Sequence, residues 1–232
     1  MKRIGVPVPA TLAIAGVAAL ALAAVAYGAT AGGSAKSDTL VVDRSFEIKT
    51  SDPQRAFEPT ASIVDRAIYD TLLTYKGGDV AHSVPLVAQS FTASKNAKTF
   101  TFQLREDVHF ADGTPLTSKD VAFSFNRLIN LKGNPSFLLG GVTISARGPY
   151  TVVLKSNAPN TAITSIVTNT SLGIVNSKLA KAHGATDKPG ADKSDKAEQW
   201  FNSPASTGAG SGPYVLKSYS TKIGRASCRE RV

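Results

Sequence analysis

The sequence predicts an α/β fold, and three features of one block carry that prediction. Phe100, Phe102 and Leu104 alternate with Thr101, Gln103 and Arg105, the period of a half-buried strand. Thr117 followed by Asp120 is a helix-start pair, in which a carboxylate reaches back to the first residues of the helix. Val121, Phe125 and Leu128 then recur at i, i+4 and i+7, one face of an amphipathic helix. Asp112-Gly113 separates strand from helix as a turn dipeptide.

The other elements follow in chain order. A short strand is expected over 39–42, and Ser45-Phe46-Glu47-Ile48 continues it to a turn at Ser51-Asp52-Pro53. A helix is expected over 62–73, with Ile63, Ala67, Ile68 and Leu72 on its buried side. Gly133-Asn134-Pro135 breaks the amphipathic helix. Residues 144–146 and 150–154 read as paired strands punctuated by Gly148-Pro149. A short helix is expected over 162–168 and an apolar strand over 172–175. Residues 181–197 mix Ala, Gly, Lys and Asp without apolar period, so they read as exposed loop running into a short helix at 195–201. Gly210-Ser211-Gly212-Pro213 is a tight entry into a last strand at Tyr214.

Both ends stand apart from this pattern. Residues 1–31 carry Lys2 and Arg3, then an uncharged Ala/Leu/Val-rich run and the small-x-small site Ala29-Thr30-Ala31, as in an export signal. An uncleaved membrane anchor is the alternative, because the run approaches transmembrane length. No Cys lies near the cleavage region, which argues against a lipoprotein. Residues 32–38 read as a polar linker and 39–221 as the folded part. Residues 222–232, KIGRASCRERV, resemble the translation of a common sequencing adapter from Ile223 to Val232, and are expected to be an artefact.

Setting the ends aside changes what the composition means. Of 26 Lys and Arg, two lie in 1–31 and four in 222–232; of 17 Asp and Glu, one lies in 222–232. The remaining 20 cations and 16 acids leave about +4, so the formal +9 gives no argument for nucleic acid. The single Cys, Cys228, lies in 222–232, so the fold depends on its core and not on disulfides. Length suffices for one sizeable core, or one core with a subdomain.

No catalytic constellation is visible. His82, His109 and His183 have no metal-ligand spacing, no H-E-x-x-H is present, and no G-x-S-x-G precedes a helix. The glycines at 210 and 212 lead into a strand and lack the G-x-G-x-x-G pattern and a phosphate-loop lysine, which excludes a phosphate cradle. No catalytic residue, metal ligand or cofactor is therefore expected, and the protein is not expected to be an enzyme.

The block F-x-F-x-L-R-x-D-V-x-F-x-D-G-x-P-L-T-x-x-D-V-x-F-S-F, from Phe100 to Phe125, resembles the signature of the family-5 extracellular solute-binding proteins, the peptide, nickel and oligopeptide receptors of ABC importers. Ile68-Tyr69-Asp70-Thr71-Leu72 is similar to that family's I-Y-E-G-L segment, and Val84 to Phe91 to its P-x-L-A-x-S-W segment with Phe91 for Trp. Ala209 to Leu216 is similar to its G-T-G-P-Y strand with Ser211 for Thr, and Asp52-Pro53 to its Leu-Asp-Pro turn with Ser51 departing.

The resemblance implies a periplasmic-binding-protein type II fold: most of lobe I with its inserted subdomain, the second lobe missing from this chain. It implies an exported receptor that captures peptides by lobe closure and hands them to an ABC permease and its ATPase, without a cofactor. The location implied is periplasmic or otherwise extracytoplasmic, with membrane contact through the permease or an uncleaved N-terminal helix. A nickel-chelate, haem, sugar or other small-solute receptor, or an envelope chaperone or sensor, shares the same signature. The ligand-facing segment implied is Ala56, Phe57, Glu58, Pro59 and Thr60, where Phe57 offers an apolar wall and Glu58 meets a cation. An extended peptide would lie along its backbone. The fragment alone is expected to bind poorly.

Overall fold

The computed structural model describes residues 47–220 and 225–230. The expected signal, linker and strand at 39–42 lie outside the described residues, as do residues 221–224, 231 and 232 of the chain's end.

Helix α1 (Pro59–Ile68) begins earlier than the sequence pattern suggests, because Pro59 occupies its first turn, where a missing N–H costs nothing. It also ends earlier, and its buried face is Thr60, Ala61, Asp65 and Ile68. Ile63, expected inside, is 40% exposed. Strands β1 (Leu73–Lys76) and β2 (Asp79–Pro85) form a separate antiparallel hairpin.

The main sheet is built from β3 (Ala88–Ala93), β4 (Thr99–Leu104), β5 (Val142–Arg147) and β6 (Thr151–Ser156), in the order β3-β4-β6-β5 with every pair antiparallel. In β4 the alternation holds: Phe100, Phe102 and Leu104 are buried and Thr99, Thr101 and Gln103 half-buried. Helix α2 (Ser118–Leu131) lies on this sheet through Val121, Phe125 and Leu128, all fully buried in one cluster with Phe102, Leu104, Val152 and Leu154. Its start is fixed as expected. Asp120 Oδ2 accepts from the Thr117 backbone N–H at 2.9 Å and from the Thr117 hydroxyl at 2.7 Å. Lys132 ends it in the left-handed conformation at φ 52°.

Most of the rest of the chain lies on the other side of α2, although Ile163 joins the sheet-facing cluster. It comprises α3 (Ile163–Ile166), α4 (Ser177–Ala182), α5 (Ala191–Ser194), α6 (Glu198–Phe201), β7 (Tyr214–Ser220) and β8 (Arg225–Glu230), the last two an antiparallel hairpin. A second apolar cluster there joins Ile68, Tyr69, Phe123, Val175, Trp200, Phe201 and Leu216. Two expectations fail in this region. Residues 172–175 form no strand; Leu172 closes a short 3-10 turn and Ile174 and Val175 run fully buried in irregular backbone. An apolar run of that length signals burial without fixing the backbone. The 181–197 stretch is only partly exposed surface, since Ala185, Ala191 and Ala197 are buried and the Asp195 side chain is fully buried.

The Gly210 and Gly212 positions are set by contact, not by φ. The backbone passes so close to α1 that a Cβ on Gly210 would collide with the Ile68 carbonyl, and one on Gly212 would stand 2.6 Å from the Ala67 oxygen. The Gly212 N–H donates to Ile68 O at 2.9 Å, and Ser211 donates to Asp70 Oδ2 at 2.8 Å.

Candidate functional site

The segment expected to face a ligand is the connection from the Asp52 turn to α1. Its backbone is held from several sides. Asp52 O accepts from Arg55 N at 3.0 Å and Ala56 N at 2.9 Å, which closes the turn. Ser51 N donates to Asn202 Oδ1 at 2.7 Å, and the Tyr69 hydroxyl donates to Ser51 O at 3.2 Å. Gln54 Nε2 donates to Gly173 O at 2.7 Å, and the Ser171 hydroxyl to Ala56 O at 2.8 Å.

The strongest restraint is Arg127, fully buried on the side of α2 away from the sheet. Its Nη1 donates to Asp52 Oδ1 at 2.7 Å and to Gln54 Oε1 at 2.8 Å. Its Nη2 donates to Asp52 Oδ2 at 2.6 Å and Asp195 Oδ1 at 2.9 Å, and its Nε to Asp195 Oδ2 at 2.8 Å. The planar fork thus serves two carboxylates bidentately, a geometry an ammonium cannot reproduce. Arg55 adds ion pairs to Asp195 at 3.2 Å and to Asp52 at 3.3 Å. Burial pushes the Asp195 carboxyl up, and the Arg127 hydrogen bond and charge outweigh it, holding it below the usual carboxylate range. The sequence reading placed Asp195 at a surface helix start and gave Arg127 no role.

On this support the five expected residues separate. Phe57 is 40% exposed and Pro59 is exposed, while Glu58 is half-buried. Ala56 and Thr60 are buried and turned inward, so they do not share the surface of the other three. The Phe57 ring meets Phe137 edge-on at 5.6 Å, and Phe137 is itself 66% exposed. Glu58 lies 3.5 Å from Lys49 in an exposed ion pair. The amides of Ala56 and Phe57 are already donated, to Asp52 O and Glu58 Oε2, and Pro59 has none. The rim therefore offers an aromatic wall and a carboxylate more than a free backbone edge.

A groove of about 680 Å³ opens beside the outward face of α1, lined by Ser62, Ile63, Arg66, Tyr75 and residues Ser165 and Thr168 to Thr170. Arg66 crosses its wall, donating to Thr74 Oγ1 at 2.9 Å and Thr168 O at 3.0 Å. Hydrogen bonds from Ser165 and Thr168 hold the Tyr75 hydroxyl below the usual phenol range. One cation and no acid line this groove, so its chemistry suits an anionic group. The sequence reading missed it because Ile63 was assigned to the buried face together with Leu72, which lies beyond the helix end at Ile68; the face that α1 buries is Thr60, Ala61, Asp65 and Ile68.

The histidines stay apart. His82 faces Asp79 at 3.0 Å on an exposed hairpin, His109 Nδ1 lies 3.0 Å from Asp107 O, and His183 stacks on Trp200 at 4.5 Å. Among the described residues no three His, Cys, Asp or Glu are grouped to hold a metal, and no helix is long and apolar enough to cross a membrane.

Comparison with known proteins gives concordant results. Residues 82–224 match the family described as bacterial extracellular solute-binding proteins, family 5 Middle. The chain is 30% identical over 186 residues to the probable D,D-dipeptide-binding periplasmic protein of Escherichia coli (strain K12), covering 78% of this chain and 34% of that protein. It is 34% identical over 97 residues to the periplasmic oligopeptide-binding protein of the same organism, covering 41% of this chain and 17% of that one. Among solved structures, the periplasmic binding protein of A. tumefaciens R10 in complex with agropinic acid superposes with a TM-score of 0.63 at 26% identity, over 80% of this chain and 34% of that one. The substrate-binding domain of a Bacillus anthracis oligopeptide ABC transporter gives 0.66 at 20% identity, over 81% and 36%. The chain thus spans about a third of the length of the first of these relatives.

Proposed function

Because the chain belongs to the bacterial extracellular solute-binding proteins, family 5, we propose that it is the first part of an exported receptor that captures peptides and delivers them to an ABC permease driven by its ATPase. The single observation that carries the site is the rim of Phe57, Glu58 and Pro59, outward-facing on a loop locked by the buried Arg127 pairings. A locked loop loses little conformational freedom on binding, which favours affinity. Phe57 and Phe137 give a sequence-tolerant apolar wall, and Glu58 takes a cationic group such as a peptide amine. Capture proceeds by hinge closure of a second lobe onto this rim. The location is extracytoplasmic, in keeping with relatives named as periplasmic. No chemistry beyond binding is assigned to the chain.

The Arg66 groove favours a second reading, a small carboxylate-bearing solute instead of a peptide. Calorimetry on the complete two-lobed protein separates them. Micromolar or tighter binding of unrelated short peptides, weakened by Phe57→Ala and Glu58→Gln, supports the peptide reading. Silence to peptides with binding of a small organic acid, abolished by Arg66→Ala, replaces it. With the partner lobe's contacts lacking, the chain as given is not expected to bind peptides tightly; micromolar binding by residues 32–221 in calorimetry contradicts this.

A further inference from the structure

The groove beside α1 is lined almost wholly by groups that hydrogen-bond. Ser62 and Arg66 stand one turn apart on α1, Tyr75 comes from β1, and Ser165 with residues 168–170 supplies the rest. Ile63 is the one aliphatic side chain in the lining.

These elements are tied to one another across the groove. Arg66 donates from Nη1 to the Thr74 hydroxyl at 2.9 Å and from Nη2 to Thr168 O at 3.0 Å. The Thr170 hydroxyl donates to Ser62 Oγ at 3.1 Å, a second link between α1 and the 168–170 stretch. The Tyr75 hydroxyl is held by Ser165 and Thr168. Groups fixed in this way lose little freedom when a ligand arrives.

Arg66 is exposed and has no ion pair among the described residues, and a guanidinium has N–H groups beyond the two in use. It is therefore a receiver for a carboxylate that the chain does not itself supply. A hydroxyl that has given its proton still has lone pairs to offer, so the bonds within the lining do not saturate Ser62, Thr168 or Thr170. An aliphatic acid would satisfy Arg66 but press hydrocarbon on these hydroxyls, which would lose their bonds to water without replacement. An acid that carries hydroxyls of its own replaces them.

We propose that this groove is the site of a small polyhydroxylated carboxylic acid, of the class of the sugar acids, with its carboxylate on Arg66 and its hydroxyls on Ser62, Ser165 and Thr170. This rests on the second reading above, that the groove takes a carboxylate. The volume of about 680 Å³ lies in the range of small-molecule sites.

Every lining residue belongs to this chain, so the test uses the chain as it exists. Amide shifts of the isotope-labelled protein are followed on titration with D-gluconate, with hexanoate, which keeps the carboxylate and chain length without hydroxyls, and with glucitol, which keeps the hydroxyls without the carboxylate. Gluconate is expected to move the amides of residues 62–66 and 165–170 at concentrations about tenfold below those that hexanoate needs. Arg66→Gln is expected to remove that response. Ser165→Ala with Thr170→Val is expected to weaken gluconate about fivefold and leave hexanoate unchanged. Equal responses to gluconate and hexanoate overturn the hydroxyl class and leave the carboxylate reading standing. A glucitol response equal to that of gluconate overturns the carboxylate reading, and no response at these amides to any of the probes overturns both. The comparison of probes on the unsubstituted chain decides the proposal even where a variant fails to fold, which its own amide spectrum reports.

Discussion

Helix α2 carries two buried stripes that differ in kind. Val121, Phe125 and Leu128 meet the sheet through apolar contact alone. Asp120, Phe123, Ser124 and Arg127 form a second stripe at i, i+3, i+4 and i+7, and it is buried almost as completely. There Asp120 Oδ1 accepts from Ser177 N at 3.0 Å, the Ser124 hydroxyl accepts from Val175 N at 3.0 Å, and Arg127 holds Asp52 and Asp195. The first stripe builds the sheet subdomain. The second fixes the loops around it, including the one that presents the rim. One face is set by burial of area, the other by satisfaction of polar groups, and the two should fail differently.

Arg127→Met should be the most damaging change, at about 3–5 kcal/mol, because it strips two buried carboxylates of their bidentate partner and leaves them only the partly exposed Arg55. Urea unfolding at neutral pH measures it. The deficit should narrow in acid, where Asp195 no longer carries the charge that Arg127 holds. Phe125→Ala should cost a similar or slightly smaller amount, about 3–5 kcal/mol, by cavity formation in the sheet-facing core. That loss should be independent of pH, so the pair of pH profiles distinguishes the two stripes.

Asp65→Asn should act in the opposite direction. Burial raises the Asp65 carboxyl well above its ordinary value. A raised folded-state value favours the fold below about pH 4 and loses that advantage as pH rises towards the folded value. The amide avoids this cost, so the variant should gain roughly 1–3 kcal/mol at neutral pH, with the gain fading towards pH 4 in the same unfolding assay. Asp195 has the reverse sign: its folded value is depressed, so its contribution is full above about pH 4 and is lost below that. Thr117→Ala should cost about 1 kcal/mol through the lost helix start. Phe57→Ala should be smallest, within about 0.5 kcal/mol, since the ring is largely on the surface.

The legibility of these features in the sequence follows the same division. The sheet-facing stripe, the β4 alternation and the Thr117–Asp120 helix start are local patterns, and each appears where the residues place it. The polar stripe is invisible to periodicity, because Arg127 reads as surface until its partners, 75 and 68 residues away, are brought to it. The same long-range pairing buried Asp195 in a stretch whose composition looks like loop. The proposed rim at 56–60 came from chain position alone, and turn geometry decided that Ala56 and Thr60 face inward, which no local pattern records. The Arg66 groove depended on which face α1 buries, and the apolar spacing from Ile63 to Leu72 misled because Leu72 lies outside the helix and Ile63 on its exposed side.

Hydrogen exchange on Arg127→Met, under conditions where the variant remains folded, tests most directly whether the second stripe fixes the rim. Protection should be lost first and locally at the amides of residues 54–58 and 186–197, with β4 and β6 still protected. Uniform loss of protection across the sheet and the loops, as expected of Phe125→Ala, would contradict the claim that the two faces of α2 do different work.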